Sequence, residues 1–303
     1  MRTPTRARRT RSTAKCLMVT SEIGQFETER ELRRQICNTG RRMYAHGLVV
    51  ACEGNLSVRV NQERILVTPA GACKGYLTPE DLLVTDLSGL VLGGTKQPST
   101  ELLLHLLYYR LRPDVQAVCH AHPPTATGFA AAGRALEEAV LPEVIVSLGK
   151  IPLAPYGTPG TWELCAGLEP LAMKYDAILL ENHGVVTCGQ DLITAYQRLE
   201  TVEQFARILL TAELLGGPHL LSPAKVRKLI TARSRCGVLS PEGCLKLPLT
   251  SESSEDRGDR EPEPFLGGTL PQERLPTKDK HDLHVSKQSG SVHDDSAFDG
   301  ELD

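Results

Sequence analysis

The run AVCHAHPP at positions 117–124 places two histidines two residues apart at the end of a short apolar segment. The small and β-branched residues that lead into it predict a strand, which Pro123 and Pro124 end. Because residues i and i+2 of a strand point to the same face, His120 and His122 can direct two imidazoles at one point. Alone, such a pair is more often packed in a core or half-exposed than bound to a metal.

A third histidine follows a second apolar run. The residues AILL at 177–180 predict another strand, and ENHG at 181–184 brings His183 to its end, next to a glycine. Three imidazoles from two separate segments can bind a divalent transition metal and leave one coordination position open, which is typical of a catalytic site. A structural zinc site more often has four ligands at tight Cys/His spacing, and the sequence contains no such cluster. Zinc suits three histidines, and Mn²⁺, Co²⁺ or Fe²⁺ would also fit.

A carboxylate lies upstream of the histidine pair. Glu101 follows Ser99 and Thr100, either of which can cap the helix that the apolar residues 102–107 predict. The helix dipole favours an acid in this first turn, so the position has an ordinary structural explanation. Beside a bound metal, however, the same carboxylate can act as a general base that moves a proton at carbon.

A glycine-rich turn lies further upstream and suggests an anion-binding site. Gly54 and Asn55 open an alternating strand, and their backbone N–H groups and the asparagine amide suit a phosphate or another anion. The TPAG segment at 68–71 and the hydroxyls of Ser99 and Thr100 would add hydrogen-bond donors. None of these signals is specific alone, because a Gly-Asn pair before a strand is most often a simple turn.

Five short motifs follow one another along the chain: GNLS (54–57), TPAG (68–71), PSTE (98–101), HAH (120–122) and ENHG (181–184). Their order resembles the class II aldolase/adducin family, and the resemblance covers residues 27–235. It implies a three-layer α/β/α domain with a mostly antiparallel central sheet. It also implies a cytoplasmic, metal-dependent lyase of carbohydrate metabolism that forms a homotetramer with active sites at subunit interfaces.

The resemblance gives each candidate residue a role. His120, His122 and His183 match the zinc ligands, and Glu101 matches the catalytic acid/base. The positions that bind the substrate phosphate are matched by Gly54, Asn55, Gly71, Ser99 and Thr100. The implied reaction is the cleavage of a ketose phosphate, such as L-fuculose 1-phosphate, to dihydroxyacetone phosphate and an aldehyde, through an enediolate that the metal stabilises.

The chain departs from the family pattern at three places. Ala70 stands where the phosphate site has a threonine, the segment at Leu141 and Pro142 lacks the tyrosine that a neighbouring subunit supplies, and no tyrosine follows Tyr196. Two other interpretations therefore stay open. One is an epimerase, dehydratase or decarboxylase that acts on a related sugar phosphate with the same scaffold. The other is a non-catalytic, adducin-like binding module.

Composition divides the chain into three parts. Residues 1–21 are rich in arginine and contain no acid, so we expect a disordered basic tail, with a targeting peptide as the alternative. Residues 22–240 are expected to form the catalytic domain, and the acidic residues 241–303 a disordered tail. The net charge of −3 gives no general attraction to nucleic acid. No apolar run reaches the roughly 18 residues of a membrane span, and nine scattered cysteines suit a reducing compartment.

The hydrophobic pattern predicts alternating helices and strands in the middle of the chain. Helices are expected at 27–46, 99–111, 125–132, 162–174 and 191–215, and strands at 56–60, 65–67, 83–86, 115–120, 142–148, 151–154, 178–180 and 184–188. Cys119 alternates with His120 along its strand and is expected to face the core.

Overall fold

The computed structural model describes the backbone of residues 12–235 and the side chains of residues 29–231. The expected acidic tail at 241–303 and the first eleven residues of the expected basic tail lie outside the described residues. None of the described helices combines the length and the apolar character that a membrane crossing requires.

Eight strands form one sheet in the described part of the chain. They are β1 (Asn55–Arg59), β2 (Arg64–Val67), β3 (Leu83–Asp86), β4 (Val91–Gly93), β5 (Ala117–Ala121), β6 (Leu153–Ala154), β7 (Ala177–Leu180) and β8 (Gly184–Gly189). Their order across the sheet is β4-β3-β2-β1-β5-β8-β7-β6. Within this sheet β6 and β7 are parallel and the other neighbours are antiparallel. The expected mostly antiparallel central sheet is therefore confirmed.

Helices cover both faces of this sheet. Those of the described residues are α1 (Ser12–Ala45), α2 (Leu102–Leu111), α3 (Pro124–Ala131), α4 (Pro142–Ser147), α5 (Trp162–Ala172), α6 (Leu192–Leu214) and α7 (Pro223–Arg235). Buried residues of α1, α3, α4 and α6 pack on one face, and those of α2 and α5 pack on the other. The domain thus has the three layers, α/β/α, that the family resemblance implies.

Successive side chains of β5 point alternately into the cores on the two faces of the sheet. Ala117, Cys119 and Ala121 belong to the core on the α1 and α6 side, whereas Val118 belongs to the core on the α2 and α5 side. Cys119 is fully buried, as expected. His120 shares the face of Val118, so its imidazole enters the layer between the sheet and α2.

The structure corrects one expected strand. Residues 142–148 form helix α4 and a following turn, not a strand. Pro142 lies in the first turn, where its fixed φ suits a helix. Val144 and Leu148 are one turn apart, and Ile145 lies beside them on the buried face. The β-branched residues favour a strand locally, but a helix is the form that buries these three side chains together.

Other differences concern where elements begin and end. α1 begins at Ser12, whereas the hydrophobic pattern predicts a start at residue 27, so this helix includes part of the segment expected to be a basic tail. The pattern predicts neither β4 nor α7. β4 is a short edge strand whose side chains are largely exposed, so it carries no alternating apolar signal. The division of the chain into a domain and two tails stays a prediction.

Candidate active site

Three histidines meet where the inner strands β5 and β7 end and β8 begins. His120 lies in β5 and is fully buried, His122 follows the strand by one residue, and His183 lies in the turn between β7 and β8. Because β5 and β8 are hydrogen-bonded neighbours, the turn before β8 is held beside the end of β5. The structure therefore brings together all three histidines that the sequence singles out.

The three imidazoles turn their nitrogens toward one another. Nε2 of His120 and Nε2 of His122 are 3.1 Å apart. One candidate ligand atom from each of the three rings lies within 4.8 Å of the other two. Burial and the neighbouring imidazoles lower the pKa of His122 to about 4. The neutral ring, which is the form that binds a metal, is thereby favoured.

A backbone carbonyl fixes the tautomer of the most buried ring. Nδ1 of His120 lies 3.0 Å from the carbonyl oxygen of Val185, which can only accept a hydrogen bond, so Nδ1 carries the proton. The lone pair of Nε2 is then free on the side of the other two histidines. Metal-binding imidazoles commonly donate their second N–H to such a carbonyl. The residues present therefore fit a divalent cation.

Two glycines let the backbone come close around the histidines. A Cβ at Gly184 would lie 2.5 Å from the carbonyl oxygen of Ala121 and 2.6 Å from Cδ2 of His122. A Cβ at Gly54 would lie 2.7 Å from the carbonyl oxygen of His120. These distances are shorter than a real Cβ tolerates, so any side chain would displace a backbone segment that carries a histidine. The glycines of the GNLS and ENHG motifs are required by this packing.

Glu101 reaches the histidines from the start of α2. It precedes the first helical turn, it is buried, and its side chain makes no capping hydrogen bond. Oε1 is 2.8 Å from Nε2 of His183, and Oε2 is 3.1 Å from Nε2 of His120. Burial alone would raise the pKa of Glu101, but the opposing effect of the adjacent His120 and His183 imidazoles lowers this pKa below its ordinary value. The carboxylate is therefore ionised beside the histidines.

A second carboxylate lies near the histidines and is not among the residues that the sequence singles out. Oε2 of Glu53 is 3.3 Å from Nδ1 of His122, and both side chains are partly exposed. Its signal in the sequence is its place directly before the glycine-rich turn. Glu53 is thus a candidate partner for the most exposed of the three rings.

Three of the residues expected to bind phosphate lie close to these groups. The side-chain amide of Asn55 donates to Oε2 of Glu101 at 2.8 Å and to Oγ of Ser99 at 3.2 Å. Gly54 packs against the backbone of His120. Asn55, Ser99 and Gly54 are thus beside Glu101 and His120, while their role in binding phosphate stays a prediction.

The other two expected phosphate residues are exposed. Thr100 directly follows Ser99, and Gly71 lies in a neighbouring loop. The two loops run side by side, because the N–H of Ala70 donates to the carbonyl of Gln97 at 2.9 Å. The sequence order alone does not indicate this pairing.

A buried lysine joins two of these loops and is not among the residues singled out from the sequence. Lys74 is 1% exposed, and its Nζ donates to the carbonyl of Cys52 at 3.0 Å and to that of Ala72 at 2.5 Å. Burial lowers its pKa. Lys74 therefore ties the loop before Gly54 to the loop after Gly71. A lone lysine in a polar loop gives no sequence signal of burial.

A family model and several known proteins match this chain. The model of the Class II Aldolase and Adducin N-terminal domain matches residues 34–210. The 3-oxo-tetronate 4-phosphate decarboxylase of Haemophilus influenzae is 36% identical over 190 residues, which cover 61% of this chain and 88% of the relative. The L-fuculose phosphate aldolase of Methanococcus maripaludis is 34% identical over 174 residues, which cover 57% of this chain and 93% of the relative. A solved L-fuculose 1-phosphate aldolase superposes with a TM-score of 0.63 at 29% identity, over 67% of this chain and 96% of that one.

Proposed function

The chain belongs to the class II aldolase and adducin family, and from that premise we propose that it is a metal-dependent lyase. It breaks a carbon–carbon bond beside a carbonyl group in a phosphorylated sugar or sugar acid. The observation that carries the proposal is the convergence of three imidazole nitrogens within 4.8 Å of one another, with the Glu101 carboxylate 2.8 Å from His183 and 3.1 Å from His120.

The three histidines would hold the cation. His120, His122 and His183 offer neutral nitrogen ligands from two segments, a set that suits zinc. A cation bound there would supply positive charge to stabilise the negative charge that develops on the carbonyl oxygen as the bond breaks. His120 keeps its ring in place through the hydrogen bond to Val185.

Glu101 is the residue that moves the proton. Its carboxylate is buried and ionised, and it lies beside the histidines at the start of α2. In the reverse direction the carboxylate removes a proton from the reacting carbon. In the lyase direction Glu101 first takes up a proton from solvent and then delivers it to the carbon that has lost its substituent. Gly54, Asn55, Gly71, Ser99 and Thr100 are proposed to hold the phosphate, with Gly54, Asn55 and Ser99 nearest to Glu101.

Two cleavage reactions share one product. Loss of CO₂ from 3-oxo-tetronate 4-phosphate leaves the electron pair of the broken bond on a three-carbon enolate phosphate, which becomes dihydroxyacetone phosphate once the carbon next to the carbonyl is protonated. Aldol cleavage of L-fuculose 1-phosphate leaves dihydroxyacetone phosphate after protonation of the equivalent carbon. The reactions therefore share the protonation of this carbon, which we assign to Glu101 in both, and they differ in the group that leaves.

We rank decarboxylation first and aldol cleavage second. Aldol cleavage also moves a proton at the oxygen of the departing aldehyde, so it needs a second acid/base. The tyrosine that the family resemblance places near Leu141 and Pro142 is missing, and no tyrosine follows Tyr196. Departing CO₂ needs no such proton, so the absence of these tyrosines favours decarboxylation.

The shared proton transfer gives the test. Dihydroxyacetone phosphate is incubated with the zinc-loaded protein in D₂O, and deuterium entering its hydroxymethyl group is followed by NMR. We expect exchange, and we expect Glu101→Gln to slow it by about 100-fold or more, with zinc content by elemental analysis unchanged. Glu181→Gln is the matched control, because Glu181 precedes Asn182 and His183 but bonds to the backbone N–H of Tyr156.

Co-product assays then separate the candidates. CO₂ released from a 3-oxo-tetronate 4-phosphate supports decarboxylation, and an aldehyde released from L-fuculose 1-phosphate supports aldol cleavage. A protein that binds no metal and exchanges no deuterium would contradict both and would leave the non-catalytic, adducin-like binding module.

A further inference from the structure

A ladder of polar side chains fills the contact between β1 and α2. Glu101, His105 and Tyr109 follow one another at intervals of four residues along α2 and its N-terminal cap, and Asn55 and Ser57 alternate along β1. Four helical residues advance about 6 Å and two strand residues about 6.8 Å, so successive residues of the α2 row stay opposite successive residues of the β1 row. All five side chains are buried, with at most 9% of any residue exposed. We call these five residues the relay.

Four contacts connect the relay from end to end. The hydroxyl oxygens of Tyr109 and Ser57 are 2.8 Å apart, and Oγ of Ser57 is 2.6 Å from Nδ1 of His105. Nε2 of His105 is hydrogen-bonded to Oδ1 of Asn55. Nδ2 of Asn55 then donates to Oε2 of Glu101 at 2.8 Å.

The side-chain amide of Asn55 sets the direction of every bond in the relay. Its nitrogen can only donate and lies 2.8 Å from Oε2 of Glu101, and its oxygen can only accept and faces His105. Nε2 of His105 must then carry a proton. Burial lowers the pKa of His105 to about 3, so the ring is neutral and its Nδ1 accepts. Ser57 therefore donates to Nδ1, and Tyr109 donates to Ser57.

We propose that His105 is a positioning residue of the lyase, which holds the Asn55 amide so that its N–H group faces Glu101. The inference rests on the proposed function, since Glu101 moves a proton only there. Without the Nε2–H donor, Oδ1 of Asn55 loses its partner in a buried site. The amide can then rotate out of the orientation in which its N–H group faces Glu101. When its oxygen turns toward the carboxylate, the two groups repel each other. Aligned hydrogen bonds in a buried network strengthen one another, so the donors behind Asn55 matter as well.

The relay predicts an effect on turnover and not on substrate binding. One N–H of the Asn55 amide points to Glu101 and the other to Ser99. Both side-chain amide hydrogens are thus engaged within the protein, so we assign the proposed phosphate contact of Asn55 to its backbone and not to this amide. The relay then acts on the group that moves the proton. Loss of His105 should therefore lower kcat while KM stays near its original value.

Two substitutions of His105 test this in the deuterium-exchange assay. We expect His105→Leu to lower kcat for exchange into dihydroxyacetone phosphate by about tenfold or more, with KM within about twofold of the unaltered protein. His105→Gln places an amide N–H close to the position of Nε2 and should restore most of the rate. A folded His105→Leu protein with unchanged kcat, or one whose KM rises while kcat stays constant, would overturn the proposal.

Two neighbouring tyrosines supply a matched pair of variants. Tyr109→Phe removes the first donor of the relay. Tyr108→Phe removes an equally buried hydroxyl that has no hydrogen-bond partner among the described residues. We expect Tyr109→Phe to lower kcat by about twofold or more and Tyr108→Phe to leave it unchanged. Equal rates in the two variants would overturn the relay.

A spectroscopic readout keeps the test independent of activity. In ¹⁵N NMR of the histidine-labelled full chain, the signal that disappears in His105→Gln identifies His105. We expect the Nε2–H tautomer with Nδ1 as acceptor, and an Nδ1–H tautomer would overturn the proposal. If the unaltered protein exchanges no deuterium, the proposed function fails, whereas the tautomer still decides whether the relay exists.

Discussion

The buried imidazole of His105 makes the stability of the fold depend on pH in a definite direction. Burial lowers its pKa from 6.5 to about 3. Between these values the unfolded chain binds a proton that the folded chain does not, so the free energy of unfolding falls as pH falls. The loss is at most about 1.4 kcal/mol per pH unit. It is absent above the unfolded-state pKa and complete only at the folded-state pKa.

His105→Gln removes this dependence. Urea unfolding of the chelator-treated proteins at pH 6.5 and at pH 5 measures it. We expect the unaltered protein to lose more stability between the two pH values than the variant does, because other titrating groups act equally on both. The same loss in both proteins would show that His105 is not a buried neutral ring.

The glycine at position 184 tests the packing of the backbone around the histidines. Gly184→Ala places a Cβ 2.5 Å from the carbonyl oxygen of Ala121 and 2.6 Å from His122. We expect this change to lower the free energy of unfolding by about 2 kcal/mol, as overpacking does, and to weaken zinc binding. Gly128→Ala is the control, since its Cβ would meet nothing within 4 Å in α3. Equal zinc affinity in the two variants would show that the turn has room to relax.

At the scale of elements, strand periodicity explains why the histidine pair could be predicted. His120 and His122 share a face because β5 is a strand, and Glu101 approaches them because α2 begins beside them. The strand signal is local, so the sequence carries it, whereas the role of Glu101 beside the histidines is implied by the family resemblance and not by a local pattern. The contacts of His105 depend on α2 packing against β1, which the sequence pattern does not reveal. Its spacing of four residues from Glu101 is nevertheless a signal that a helical projection displays.

The residues 142–148 are a case in which the local pattern predicts the wrong element. The local preference of β-branched residues predicts a strand there, whereas the structure has α4. Whether a strand or a helix buries Val144 and Ile145 depends on the neighbouring residues that cover them. These neighbours are α7 and the loop residues around Leu221, and their own sequence pattern does not predict them. Tertiary packing therefore decides this element, and single-sequence propensity does not.

A carboxylate from α6 supports the start of α3. Oε2 of Glu203 accepts hydrogen bonds from the N–H groups of Thr125 at 3.1 Å and Ala126 at 2.9 Å, and Arg207 lies 2.7 Å from its Oε1. Glu203 is 3% exposed. Glu203→Ala leaves these first-turn amides without their acceptor, directly after the HAH motif. We expect the free energy of unfolding to fall by about 2 kcal/mol, measured by urea unfolding.

An exposed glutamate provides the comparison. Glu169 lies on α5 at the surface. We expect Glu169→Ala to change the free energy of unfolding by no more than about 0.5 kcal/mol. If the two substitutions had the same effect, the contact between α6 and α3 would contribute nothing beyond an ordinary surface charge.

In the whole molecule, a buried ion-pair network and the histidines lie at opposite ends of the central strands. Arg112 and Asp176 precede β5 and β7, and these strands run in the same direction because each is antiparallel to β8. The carboxylate of Asp176 pairs with Arg112 at 2.7 Å and with Arg198 at 2.7 Å. The strands thus separate a network that holds the sheet together from the site where chemistry is proposed.

The stabilisation of the domain by a bound metal should therefore depend on the histidines and not on the ion-pair network. A ligand that binds only the folded chain adds about 2.7 kcal/mol to the free energy of unfolding at 100 times its Kd. We expect zinc to raise the Tm of the chelator-treated, unaltered protein and not that of His122→Ala. Asp176→Asn is the control: it breaks a buried ion pair, at a cost of about 3 kcal/mol, and unfolds at lower temperature. It should nevertheless keep the zinc-dependent rise in Tm, because its histidines are unchanged. A full rise in His122→Ala would place the metal elsewhere, and loss of the rise in Asp176→Asn would show that the two ends of the sheet are coupled.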